Sequence, residues 1–371
     1  MMEQQHRPIF VTRSSLPPFE EYLAEIRDIW ESRWLTNMGE KHRALEQALA
    51  EKLETPHVTL FANGHLALEA ALRALRLLAG GQVITTPFTF ASTTHAIVRA
   101  GLTPVFCDIR LSDYTMDPEQ LEGLITEKTV AILPVHVYGN LCDVERIRQI
   151  ADAHGLKLVY DAAHAFGERL NGTGVAAFGD LSMFSFHATK VFHTIEGGCV
   201  CFRDEVYGRL LDGEKNFGLM GGEDRYECPG GNAKMNEFQA AMGLCGLRHL
   251  DENTSLRAAV AARYRERLSG VPGIALCAPQ PGVESNHAYF PVLFDGFRLD
   301  RDGVAAALAA EQVFARKYFY PATNTFACYR DTLDCGHTPN ADYAAAHVLT
   351  LPLYPDLPLA EVDRICRIIT G

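Results

Sequence analysis

Tryptophan is scarce in this 371-residue chain, with two copies, and no uncharged run is long enough to cross a bilayer. Basic residues are outnumbered, 34 against 46 acidic, for a formal charge of −12. That balance argues against a nucleic-acid surface or an anionic-membrane binder, so any anionic ligand must be met by local cations. The ten cysteines show no C-x-x-C spacing, and several sit in apolar runs such as GGCVCF. They read as reduced core residues rather than a disulfide or zinc framework. The amino terminus lacks the basic-then-apolar pattern of an export signal. A soluble, cytoplasmic protein is the expectation. H-E-x-x-H, G-x-S-x-G and Walker lysine motifs are also missing, and no His/Cys/Asp/Glu cluster has metal-ligand spacing. Gly172 and Gly174 lack a third glycine and a helix pattern, so they read as a β-turn and not a dinucleotide fingerprint.

What is present is alternation. HRALEQALAEKL and HLALEAALRALRLL carry apolar residues at helical spacing, while VITTPF, VAILPV, LKLVYDAA, LSMFSF and CVCF are short β-prone runs. Continuous apolar strands between helices imply a sheet covered on both faces, with ligands beyond the carboxyl ends of its strands. The fold class is α/β. A large, mostly parallel sheet domain is expected over 1–249, followed by a smaller α+β domain over 250–371. A long helix pattern, NEFQAAMGLCGLRHLDENTSLRAAVAARYRERL, joins the two, and there are no repeats or tethers.

The richest stretch is Asp161 to Lys190, with a carboxylate after one apolar run (GLKLVYDAAHAFG) and a lysine after another (LSMFSFHATK). Pyridoxal phosphate chemistry needs a lysine to form a Schiff base with its aldehyde, and a buried carboxylate to keep the pyridine nitrogen protonated. Lys190 is set among Phe184, Phe186, Val191, Phe192 and Ile195, an apolar neighbourhood that lowers an ammonium pKa and yields free amine. Asn63, Gly64 and His65 open a helix, a place where free backbone amides bind a phosphate. Read alone, Asn63 and Gly64 serve equally well as a helix cap.

Across RWLTNMGEKHRALEQALAE, FANGHLALEAAL, ITTPFTFASTTHAIVRAGLTPVFCDI, ILPVHVYGN, VYDAAHAFG, FSFHATKVFHTIEGGCV, GGNAKMNEFQAA, YFYPATNTFACYR and HVLTLPLYPDLPLAEVDRI, the chain resembles the nucleotide-sugar aminotransferases among fold type I pyridoxal phosphate enzymes. The likeness runs from about Pro17 to Ile369, in family order. FHATKVFHTIEGG looks most like enzymes that aminate C4 of a dTDP-linked 4-keto-6-deoxyhexose, as in viosamine formation.

The resemblance implies roles residue by residue. Lys190 would carry the cofactor and shuttle protons, and Asp161 would hold the ring nitrogen. Asn63, Gly64, His65 and Ser185 would form the phosphate site, with Asn232 reaching it from a second subunit of a homodimer with shared active sites. Phe90, which reads as core on sequence alone, would instead stack on the pyridine face. His164 would lie near the phenolic oxygen or the substrate. For the sugar nucleotide the candidates are Thr36, His187, His193, Lys317, Tyr318, Tyr320 and Arg330, with Trp34 and Asn37 beside Thr36; cations next to aromatics suit a diphosphate and a base. L-glutamate is the implied amino donor. Amination at C3, and members acting on inososes or making aminohydroxybenzoate, stay open. A sugar dehydratase of the same fold, whose best-known form has histidine at the lysine position, and an idle binding protein are the readings from other classes.

Overall fold

The computed structural model describes residues 7–220 and 224–371. Its largest sheet has seven strands, in spatial order His57–Phe61, Gly198–Phe202, Leu181–Ser185, Lys157–Asp161, Thr129–Ile132, Gln82–Thr85 and Thr103–Phe106. Only Gly198–Phe202 runs against its neighbours. The parallel strands are almost wholly apolar and buried because helices lie on both faces, leaving no solvated side to alternate toward. Common polarity puts the last residues Phe61, Thr85, Ile132, Asp161 and Ser185 at one edge, with Gly198 joining them as the first residue of the reversed strand. That edge is where a doubly wound sheet collects its functional loops.

A second sheet pairs Ile274–Leu276, Phe290–Phe294 and Val348–Leu351, all antiparallel. The helices Leu250–Leu268, Arg301–Ala310 and Leu359–Thr370 supply a core of Tyr264, Val260, Leu308, Val362 and Ile365 against it. Two pairings cross the expected boundary at residue 249. Ile9–Phe10 adds a parallel strand to Val313–Phe314, and Ile9 is buried in the second core, so the described start of the chain packs with the carboxyl-terminal part. In the other direction, Val283–Glu284 pairs with Arg169–Leu170 of the first part.

The single long helix expected after Asn236 is two, Glu237–Arg248 and Leu250–Leu268. His249 breaks it at φ −105°, ψ 2°, its ring held at 2.7 Å from Glu21 of the Phe19–Ser32 helix. Periodicity continued through the break because both helices bury the same kind of apolar face. The Asn171–Gly172 pair turns a hairpin between Arg169–Leu170 and Thr173–Gly174, both turn residues at positive φ, as the β-turn reading required.

One contact shows how distant segments settle local structure. The Glu40–Lys52 helix begins after Gly39 with no side-chain cap of its own. Its free amides at Lys41 and His42 instead donate to the buried carboxylate of Glu237, at 2.8 and 3.3 Å, and a Cβ on Gly39 would fall 2.4 Å from that carboxyl carbon. Glu237→Gln presents an amide hydrogen where an acceptor is needed. It is expected to cost about 1–2 kcal/mol of stability in denaturant titration. An unchanged midpoint would mean that these amides are satisfied another way.

Candidate active site

At the strand edge, Asp161 is 4% exposed. Its Oδ2 accepts from the Thr93 hydroxyl at 2.7 Å and its Oδ1 from the Ala163 amide at 3.1 Å. Burial pushes its pKa up, while the Thr93 and Ala163 bonds and the charge of Lys190 pull the other way. Lys190 is held in the turn that follows Leu181–Ser185, with its Nζ 3.5 Å from the Tyr289 hydroxyl. Desolvation brings the ammonium down to about 8, against an opposing pull from Asp161 and Tyr318. A useful fraction of free amine is therefore available near neutrality. Phe184, Phe186, Val191 and Phe192 surround this turn in the core as expected, but Ile195 does not; it is exposed at φ +70°.

An aromatic wall closes one side of the amine. His164 stacks on Phe319 at 5.9 Å and leans on Tyr289 at 4.6 Å, and Tyr138 stacks on Phe319. Burial drives the His164 pKa well below its usual value, so the ring is neutral. Its Nδ1 accepts the Tyr138 amide at 3.0 Å, which leaves the proton on Nε2 as a donor. Tyr138 sits at φ +62°, and Gly139 follows at φ +93°. Such an unfavourable backbone persists only where surroundings over-determine it.

The other end of the site is a backbone cradle. Asn63 caps the Gly64–Ala74 helix by accepting the Leu66 amide at 2.9 Å, so the capping reading of its side chain holds while the remaining amides stay open. A Cβ on Gly64 would sit 2.7 Å from Ser185 Cβ, and one on Gly198 would sit 2.7 Å from Gly64 Cα. Helix start, strand end and reversed strand therefore meet with room only for glycine, which brings the Ser185 hydroxyl beside the positive helix terminus. His65 lies against Ser92 at 2.9 Å, and Phe90, at the start of the Ala91–Arg99 helix, is 59% exposed. The neighbouring Phe88 is the one in the core.

Other expected residues fall further out. His193, expected near the substrate, is buried with both ring nitrogens on backbone partners, Nε2 at 2.7 Å from Ser15 oxygen and Nδ1 accepting the Ile195 amide. His187 is exposed beside Glu196 and Thr189. Lys317 pairs with Asp302 at 2.8 Å, and the exposed Tyr320 lies under Arg301. Tyr318 stands at the Lys190 wall, with Arg316 over its ring at 5.0 Å. Arg330, Thr36 and Asn37 are exposed, as is Trp34, which lies under Arg43. Asn232 is exposed and accepts from Lys234 at 2.8 Å. Sequence reading missed Thr93, Tyr138, Tyr289 and Arg316. A threonine two residues into a helix and tyrosines in apolar runs carry no signal until the sheet brings them to the same edge.

These features fit a phosphorylated aldehyde cofactor: a cradle for the phosphate, a buried carboxylate for a ring nitrogen and a weakly basic amine. The DegT/DnrJ/EryC1/StrS aminotransferase family matches residues 19–370. The chain belongs to this family. A dTDP-4-amino-4,6-dideoxy-D-glucose transaminase of Escherichia coli is 40% identical over 371 residues, covering 98% of this chain and 99% of that protein. Among solved structures, DesI determined with its TDP-sugar product superposes with a TM-score of 0.92 at 33% identity, covering 98% of this chain and 92% of that one. The Streptococcus pneumoniae sugar aminotransferase Spr1654 in its PLP form gives 0.89 at 28% identity, over 96% and 97% of the two chains. The fold is thus that of fold type I enzymes, and the chain is an aminotransferase.

Behind the site a buried acid ties two segments together. Glu168 accepts the Asn286 amide at 3.0 Å and the Ser285 hydroxyl at 3.2 Å, and Asn286 donates to the His164 carbonyl at 2.9 Å. Burial raises Glu168 from 4.5 to about 8, so the folded chain keeps a proton that the unfolded chain releases. This group therefore costs stability as pH rises from about 4.5 through about 8, at up to about 1.4 kcal/mol per pH unit. Glu168→Gln, neutral throughout, is expected to flatten that slope when denaturant titrations at pH 5.5 and 7.5 are compared. Equal slopes in variant and parent would show that Glu168 is ionised in the fold.

Proposed function

We propose that this aminotransferase uses pyridoxal phosphate to move an amino group from L-glutamate to C4 of dTDP-4-keto-6-deoxy-D-glucose, in deoxyaminosugar biosynthesis. The observation that carries the reading is a desolvated Lys190 amine facing a buried Asp161 at the sheet edge, in a chain with 40% identity to a transaminase named for that sugar. The bound cofactor supplies a carbonyl that takes an amine from the donor and yields it to the acceptor ketone.

The chain's own residues account for the rest. The open amides at Gly64 and His65 and the Ser185 hydroxyl bind the phosphate. Asp161 keeps a proton on the ring nitrogen and so favours negative charge developing at the reacting carbon. Phe90 covers a ring face, and His164 donates its Nε2 proton toward the phenolic oxygen. The Lys190 amine would take a proton from the donor's Cα and deliver it to the cofactor's carbonyl carbon, and would run the same transfer in reverse for the acceptor; its pKa of about 8 suits both directions near neutral pH. Tyr318, Tyr320, Lys317, Arg330, His187 and Thr36 remain the residues assigned to the nucleotide sugar. Arg316 joins them, because Lys317 is partly neutralised by Asp302 whereas Arg316 lies over Tyr318 at the Lys190 wall.

The reading includes a homodimer in the cytoplasm, with Asn232 completing the partner's phosphate site; its exposure on a loop supports this. The pyridoxamine form mixed separately with dTDP-, UDP- and GDP-linked 4-keto sugars should regain the aldehyde-form absorbance fastest with the dTDP sugar. Faster return with another nucleotide, or with a 3-keto sugar, would overturn the substrate assignment. Sedimentation should give a dimer, and Asn232→Ala should shed cofactor faster while melting normally. A monomer with full cofactor and activity would refute the shared site.

A further inference from the structure

Four consecutive residues at the start of the Ala91–Arg99 helix reach four different segments of the chain. Ser92 Oγ meets His65 Nδ1 at 2.9 Å, at the phosphate cradle. The Thr93 hydroxyl donates to Asp161 at 2.7 Å, and the Thr94 hydroxyl donates to Thr323 Oγ1 at 2.8 Å. The His95 ring engages the Tyr329 hydroxyl. Side chains on a helix leave the axis about 100° apart, so one turn can address every direction around it.

Thr93 and Thr94 are both fully buried, yet neither is needed to hold a phosphate or to move a proton. Thr93 has one hydroxyl proton, which it donates to Asp161, so the neighbouring Thr89, 2.9 Å away, must donate to Thr93. That orders a two-hydroxyl relay ending on the carboxylate, in which each bond polarises the next. Thr94 acts on a different element. Thr323, which also donates its amide to Pro87 oxygen at 2.9 Å, anchors the loop that carries Tyr318, Phe319 and Tyr320.

We propose that this turn is a positioning hub with divided duties: Thr93 orients the Asp161 carboxylate on the cofactor side, and Thr94 sets the Tyr318–Tyr320 loop on the acceptor side. The proposal rests on the pyridoxal phosphate reading above and deepens it. Neither threonine is a catalytic residue; each acts through the group it holds. Their loss should therefore appear in different constants.

The test uses holoenzyme and isosteric variants. Thr93→Val is expected to lower kcat about ten- to a hundredfold, as loss of a bond to a charged group would. It should also shift the midpoint of the cofactor's visible absorbance in a pH titration, with little change in acceptor KM. Thr93→Ser, which keeps the hydroxyl, should restore the parent midpoint. Thr94→Val should raise acceptor KM about tenfold while kcat and the absorbance titration stay near those of the parent. The proposal is overturned if both Thr93 variants shift the titration equally, if Thr93→Val shifts nothing, or if Thr94→Val lowers kcat and leaves KM alone. A parent enzyme with no visible band and no amine transfer would instead overturn the reading on which the proposal rests.

Discussion

A carboxylate kept buried next to an amine is the constraint that the rest of the active edge serves. Each group alone is disfavoured in its charged form: burial raises Asp161 and lowers Lys190. Together they relieve each other, and two directed donors, the Thr93 hydroxyl and the Ala163 amide, make a negative Asp161 tolerable. The sheet makes this arrangement possible. Asp161 and Ser185 end adjacent parallel strands, and Lys190 lies five residues beyond Ser185. Strand polarity brings together what lies 29 positions apart in the sequence.

The same edge is polarised from end to end. At the cradle end, glycines at 64 and 198 let backbone approach backbone until the helix start touches Ser185. At the Lys190 end bulky rings dominate: Tyr138, His164, Tyr289 and Phe319 pack against one another, with Tyr289 against the amine. Small residues leave backbone amides open at a helix start, whereas large ones supply the low dielectric that keeps Lys190 deprotonatable. The buried Glu168 and Asn286 fasten the Tyr289 segment to the turn bearing His164, so the wall belongs to both halves of the chain.

Legibility in the sequence followed the distance over which each feature is determined. The strands, the helix after Asn63, Asp161 and Lys190 were readable because their signals lie within a few residues: an apolar run and what ends it. Thr93 and Tyr289 were not, since their partners lie 68 and 99 residues away. Where the His193 ring points was not legible either, because proximity to Lys190 in sequence does not set it; its Nε2 lies against the Ser15 carbonyl. The break at His249 and the strand at Ile9–Phe10 escaped for the same reason. Both are settled by contacts with segments far along the chain, Glu21 in one case and Val313–Phe314 in the other.

We propose that one amine, at Lys190, is the covalent attachment point of the cofactor, because among the described residues it alone combines desolvation with the Asp161 carboxylate at the strand edge. Reducing the holoenzyme with borohydride fixes the cofactor to whichever amine holds it, and peptide mapping by mass spectrometry then locates the label. The account predicts a single labelled peptide containing Lys190. A label on another lysine, or none in a preparation that still transfers amino groups, would contradict it.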